Sequence, residues 1–443
     1  MKVTRQSPDP RLEVYDLESD QPFLIYVAKK TGKGPESTAL QSYTFSQSVY
    51  DIIGTFSFSV ELDEFGSGSD RESVFEKVKI RNVVKIYEGG DNPVFIGIIR
   101  KKRFANAMSS SGVQRNITFS GNSILSCIND LVISLDPKIM DVPDAETETE
   151  KLTMDLVDIT TALDFMKQVY DRFTGFKVAG KAIMNSAMQK AIEKFCNGIG
   201  SVLTSDKDIT LYYNIACAFF NQGENRIVDV WKMILPEPVY EMFGYCDRQG
   251  QPRIQVREVP FSDGWGSLTK TKILYELLIS YELSKSDEEV YTFFNSYLEG
   301  MALNPDQYAT LAAYDGKNPT IVSTDKVDIY GYRPLEVRFR GFDRKQNLEE
   351  DKLNGIQEEI KAFNEKVSGW YGNLDELATG SIQMVNVYGR DVPLPGERVE
   401  FAGGEFYVTG CEHTWHYGNT PTITLSVSRG TGFSLEGKFE LEE

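Results

Sequence analysis

Histidine is almost missing from this chain. There are two in 443 residues, His413 and His416, so any centre built on an imidazole base would have to use one of them. Both stand in the short stretch His413-Thr414-Trp415-His416. On a β-strand, a spacing of three turns them to opposite faces, and they cannot hold one metal ion together without a bulge. Cysteine is sparse as well. Cys127, Cys196, Cys217, Cys246 and Cys411 are scattered, odd in number and without a C-x-x-C pair. That pattern excludes a disulfide framework or a zinc ribbon and fits reduced thiols. No Gly-x-Ser-x-Gly elbow is present for a hydrolase nucleophile.

Long apolar runs are also lacking. The longest clusters, such as Val94 to Ile99, fall far short of the roughly 20 residues a membrane helix needs. Met1 to Arg11 is polar and contains proline, so neither a signal peptide nor a membrane span is expected. Positive charge is in deficit: 47 basic residues face 65 acidic ones, a formal net charge of -18. Phosphate neutralisation supplies most nucleic-acid affinity, so this balance disfavours sequence-specific DNA binding. It fits a solubilising acidic surface.

Three motif look-alikes fail on their chemistry. Gly175-Phe176-Lys177-Val178-Ala179-Gly180-Lys181-Ala182 follows the phosphate-loop spacing up to its last position, where Ala182 has no hydroxyl for magnesium. The segment before it has helical rather than strand periodicity. Gly264-Trp265-Gly266 and Gly66-Ser67-Gly68 lack the third glycine of a dinucleotide loop and read as turns. No motif singles out a pair of carboxylates for sugar hydrolysis. No catalytic residue, metal site or cofactor is expected.

What is present is β-structure. Thr44 to Val49, Thr55 to Leu62, Val78 to Tyr87, Val94 to Phe104 and Arg115 to Ser120 read as strands. Polar, glycine-rich loops are expected between them at Lys29 to Thr38, Glu64 to Glu72 and Asn106 to Gly112. After an acidic linker at Asp141 to Lys151 the period changes. Leu163, Met166, Val169, Tyr170 and Phe173 step by three and four, as do Ala187, Ala191, Phe195 and Ile199. The second of these helices carries Lys190 and Lys194 and is expected to pack on its own domain. Pro252 to Pro260 and Tyr332 to Arg340 alternate as strands. Leu353, Ile356, Ile360, Phe363, Val367, Trp370, Leu374 and Leu377 mark a long amphipathic helix. Strands return at Ser381 to Val387, Arg398 to Phe401, Phe406 to Tyr417 and Thr422 to Arg429. In the last, Ile423, Leu425 and Val427 share one face.

The predicted fold class is therefore α+β, predominantly β. It comprises two similar small β-barrels, a helical and mixed middle region, and a long amphipathic helix before the last strands. The expected boundaries are a first barrel over 1–133, a mostly helical insertion over 134–225 and a mixed connecting region over 226–279. A second, discontinuous barrel follows over 280–435, with an excursion at about 300–379, and then an acidic tail over 436–443.

Several of these segments resemble phage tail hub proteins: the late-control D proteins and baseplate hubs of contractile phages, and the hub part of type VI secretion spikes. The C-terminal resemblance rests on Gly380-Ser381-Ile382, on Pro395-Gly396-Glu397-Arg398-Val399, and on Phe406 through Trp415, which includes His413. It also rests on Thr424 through Arg429 and Gly430. In the first barrel, Phe95, Gly97 and Ile99 match a Phe-x-Gly-x-Ile hairpin strand, and Ile117 to Gly121 matches the strand that follows. Ser280 to Tyr291 resembles the start of the second barrel.

The resemblance implies a non-enzymatic homotrimer whose six barrels form a pseudo-sixfold ring. Such a ring joins a hexameric tail tube to a trimeric central spike, among other baseplate components. It further implies a virion tail or phage-like particle assembled in the bacterial host cytoplasm, and an acidic lumen that lets DNA pass. With no appended domain before Glu443, the spike is expected to be a separate polypeptide. A glycan-binding host-adsorption protein of a non-contractile tail and a cell-wall hydrolase are the alternative readings.

Overall fold

The computed structural model describes residues 9–27, 36–61, 64–65, 72–109, 112–133, 161–175, 177–178, 181–182, 186–206, 209, 225–235, 239–260, 262–298, 320–339, 350–387 and 391–432. The linker at 141–151, the tail at 436–443, Cys217 and most of the loop at 29–38 lie outside the described residues.

Fourteen strands join in a single sheet. The first half of the chain contributes β1 (Pro10–Tyr15), β2 (Leu24–Val27), β3 (Glu36–Ser37), β4 (Leu40–Ser48), β5 (Thr55–Glu61), β6 (Val83–Glu88), β7 (Phe95–Ser109) and β8 (Gly112–Ser123). The second contributes β9 (Lys270–Lys272), β10 (Leu278–Ser284), β11 (Ala378–Val385), β12 (Arg398–Phe401), β13 (Gly404–His416) and β14 (Thr422–Thr431). Their order is β10-β11-β14-β13-β4-β5-β8-β7-β6-β1-β2-β3, with β12 also on β13 and β9 on β12.

Each half curls on itself. Tyr26 of β2 and Phe58 of β5 stand five strands apart in the order, roughly 24 Å in a flat sheet, yet their ring centroids are 6.2 Å apart. Tyr281 of β10 and Phe401 of β12 are four strands apart and 5.1 Å from each other. In both halves the chain itself spans the two edges: β3 runs into β4, and β9 runs into β10. The sequence dictates which face turns inward. Phe56, Phe58 and Val60 of β5 are buried in the first core, and Ile423, Leu425 and Val427 of β14 in the second. The strands of the β7–β8 hairpin run further than their polar sequence suggests. Asn106 to Ser109 pair with Arg115 to Gly112, because ladder hydrogen bonds extend a hairpin without help from apolar side chains.

A third core forms under helices α1 (Ala162–Gly175), α2 (Ser186–Cys196) and α3 (Ile227–Ile234). On α1, Ala162, Phe165, Met166, Val169 and Tyr170 are buried, a stripe at helical spacing. On α2, Ala191 and Phe195 join the same core, so this helix packs within its own chain. A hairpin of strands Tyr240–Cys246 and Pro252–Glu258 lies beneath them. Helix α4 (Thr324–Tyr330) has no buried residue, and a fourth core sits under helix α5 (Glu350–Tyr371). There Phe363, Val367 and Trp370 of α5 meet Phe294 and Val337 of a small three-stranded sheet. The side chains of Leu353, Ile356 and Ile360 are outside the described set. The helix ends at Tyr371, where the Gly372 amide donates to the Ser368 carbonyl, so Leu374 and Leu377 belong to the turn that follows.

Candidate functional site: the seam between the halves

The two curled halves share one long strand pair. β13 lies antiparallel to β4 from Gly410 opposite Ser48 to His416 opposite Ser42. Side chains alternate along this seam. Cys411, His413 and Trp415 point inward, and Glu412 and His416 are exposed. Trp415 enters the core of the first half, its ring stacked on Tyr43 at 5.7 Å. His413 stacks on Phe45 at 4.3 Å, and Phe45 meets Phe95 at 5.0 Å. Phe95 and Ile99 are fully buried in that same core. Gly97 lies under the Phe56 ring, where a Cβ would stand 2.5 Å from a ring carbon. Of the residues that carry the resemblance, His413, Trp415, Phe95, Gly97 and Ile99 therefore converge. Arg429 and Gly430 sit elsewhere, at the far end of β14.

A buried carboxylate ties the seam. Glu88, the last residue of β6, accepts a hydrogen bond from the Tyr43 hydroxyl at 2.8 Å on Oε1. Its Oε2 accepts from Asn386 Nδ2 at 2.6 Å and from His413 Nδ1 at 2.8 Å. All four residues are buried. Tyr43 and Glu88 come from the first half, and Asn386 and His413 from the second, so one side chain couples both. Burial, then the adjacent Glu88 charge, holds the Tyr43 phenol well above its usual pKa, so it stays a donor. Sequence reading singled out His413 but none of its partners. Tyr43, Glu88 and Asn386 are separated by hundreds of positions in part, and no local pattern announces them.

The hairpin Tyr240–Cys246/Pro252–Glu258 is pinned beside the seam by two arginines. Arg248, in its turn, grips Glu397 with two parallel bonds of 2.6 and 2.8 Å, while Asn92 donates to the Arg248 carbonyl. Arg257 donates to Glu241 at 2.6 Å and to the Tyr407 hydroxyl at 2.9 Å, and that hydroxyl also bonds Glu241. Above Tyr407 opens a cleft of about 710 Å³, walled by Trp370, Tyr371, Glu241 and Arg429 among others.

Among the described residues, no group of three His, Cys, Asp or Glu side chains could bind a metal ion. His413 and His416 lie on opposite faces, one buried and one exposed, as their spacing requires. Cys127, Cys196, Cys246 and Cys411 are buried, and burial pushes the Cys127 thiol up to about 11. The phosphate-loop look-alike follows helix α1 and pairs Lys177-Val178 with Lys181-Ala182 as a short antiparallel hairpin. Such a loop should instead bridge a strand and a helix. No described helix is long and apolar enough to cross a membrane.

Solved structures are similar to this chain. The tail protein from Neisseria meningitidis MC58 superposes with a TM-score of 0.50 at 12% identity, over 96% of this chain and 97% of that one. The chain has the fold of that tail protein. The 43 kDa tail protein of prophage MuSo2 from Shewanella oneidensis matches at TM-score 0.48 and 11% identity, over 95% and 98%. An E. coli type VI secretion component, described as similar to the T4 tail proteins gp27 and gp5, matches at TM-score 0.39 and 7% identity, over 89% and 74%. No protein-family model and no curated protein matches the sequence.

Proposed function

We propose that this protein is a non-enzymatic tail hub. In this reading three copies form a ring of six barrel-like halves that matches a hexameric tail tube on one side and a trimeric central spike on the other. The observation that carries it is the tail-protein fold spanning almost the whole chain, built from two curled halves of similar design. Two halves per subunit give a threefold ring sixfold character, which is what an adaptor between those symmetries needs. The net charge of -18 fits a lumen that repels passing DNA. The place of action is then a virion tail or phage-like particle assembled in the bacterial cytoplasm, with baseplate proteins as neighbours. Of the residues of the resemblance, Phe95, Gly97, Ile99, His413, Trp415 and Gly430 serve as packing positions in the two halves, and Arg429 lines the cleft beside Trp370.

Light scattering at several concentrations, paired with electron-microscopy class averages, tests the ring. A mass near three times 50.0 kDa with six lobes around a central hole is expected. A monomer at every concentration, alone and with tube and spike proteins added, would overturn it.

A further inference from the structure

The cleft beside Arg429 has features that packing alone does not call for. Its volume of about 710 Å³ falls in the range of small-ligand sites. Arg429 sits in a β-bulge. Ala378 faces Gly430 while Gly380 faces Val427, and on the other side Glu405 faces Thr431 while Tyr407 faces Ser428. Its φ is 59°, the left-handed region that a non-glycine residue occupies at a cost of about 1 kcal/mol or more. Bulges re-aim side chains. This one lays the guanidinium 3.5 Å from the centre of the Trp370 ring, with Nη1 donating to the Trp370 carbonyl.

Among the described residues, no carboxylate forms an ion pair with Arg429. Burial draws its pKa down to about 10, against smaller opposing contributions from Tyr371, Tyr407, Tyr50 and Glu241. A cation partly withdrawn from water gains from a carboxylate partner. Its remaining N–H donors form a planar fork whose geometry suits the two oxygens of a carboxylate. The carboxylates in the cleft wall do not fill that role. Glu241 is committed to Arg257 and Tyr407, and Glu288 and Glu289 are exposed to solvent. Val49, Met242, Leu374 and Val427 supply apolar wall beside the fork.

We propose that this cleft binds a carboxylate carried on an aromatic or apolar body, with Arg429 as its partner. The source is either a free organic acid or an acidic side chain beside an aromatic one on a peptide. The site is independent of the ring reading. Calorimetric titration of the full chain with phenylacetate, phenylacetamide and a blocked Phe-Glu dipeptide tests it. At least one acid should bind, with phenylacetamide about tenfold weaker than phenylacetate or absent, and Arg429→Gln should cost about tenfold for that acid. Tighter binding of the dipeptide assigns the site to a peptide side chain, and the reverse order to a free acid. Binding by neither acid, equal binding of acid and amide, or an unchanged affinity in Arg429→Gln would overturn the proposal. Should that variant fail to fold by circular dichroism, the acid-to-amide comparison on the unaltered protein still decides.

Discussion

At the residue scale, the seam shows why a small residue stands where it does. Gly97 lies against the rings of Phe56 and Phe95, so a methyl group there must displace aromatic side chains in a close-packed core. Gly97→Ala should cost about 1–3 kcal/mol. Gly266, by contrast, has open space where its Cβ would be, and Gly266→Ala should stay within about 0.5 kcal/mol. Urea unfolding of both variants checks this; equal effects would sink the packing account of Gly97. Gly430 has the same logic at the other end of the molecule, where a Cβ would run into the Phe406 ring.

At the scale of elements, Glu405 of β13 holds three others. It accepts hydrogen bonds from Trp265 Nε1 at 3.0 Å, Arg398 Nη1 at 3.0 Å and Lys270 Nζ at 3.2 Å. These come from the short helix Ser262–Trp265, from β12 and from β9. The Trp265 bond first, then the two cations, against a modest burial penalty, lowers the Glu405 carboxyl below its ordinary value of 4.5. A carboxylate with a lowered folded-state pKa contributes stability that is present above 4.5 and lost as pH falls through the folded value. Glu405→Gln should therefore be less stable than the unaltered protein at neutral pH, with the gap closing in acid. Thermal melts from pH 7 to pH 3 would show it, and a gap that stays constant across that range would refute it. α5 shows element logic of another kind. The described part of its apolar stripe, Phe363, Val367 and Trp370, packs against the sheet that holds Phe294 and Val337, within the chain.

At the scale of the whole molecule, the coupling of the halves rests on the β4–β13 ladder and on one buried carboxylate. Replacing Glu88 by Ala would orphan the donors of Tyr43, Asn386 and His413, at about 1–3 kcal/mol for each one left unsatisfied. Hydrogen exchange should then rise on both sides of the seam, in β4 and β13 together, before the cores of either half are exposed. Exchange that rises in only one half would contradict the coupling.

Local period in the sequence marks many of the strands and helices and their buried faces, though not the far end of the β7–β8 hairpin. Alternation in Phe56, Phe58 and Val60, and in Ile423, Leu425 and Val427, requires one face of each strand to leave water, and the stripe of Phe165, Met166, Val169 and Tyr170 requires the same of α1. Local period carries that information because side-chain direction is fixed by backbone geometry. The sequence also singled out His413 and Trp415 at the seam, through a resemblance carried by a short stretch. Only the tertiary structure decided that the two halves are one sheet, since pairing Thr44 with Thr414 depends on register between segments 370 residues apart. The same holds for the partners of Glu88 and for the placing of the Arg429 guanidinium on Trp370. These are facts about which distant groups lose water together, and no local period encodes them.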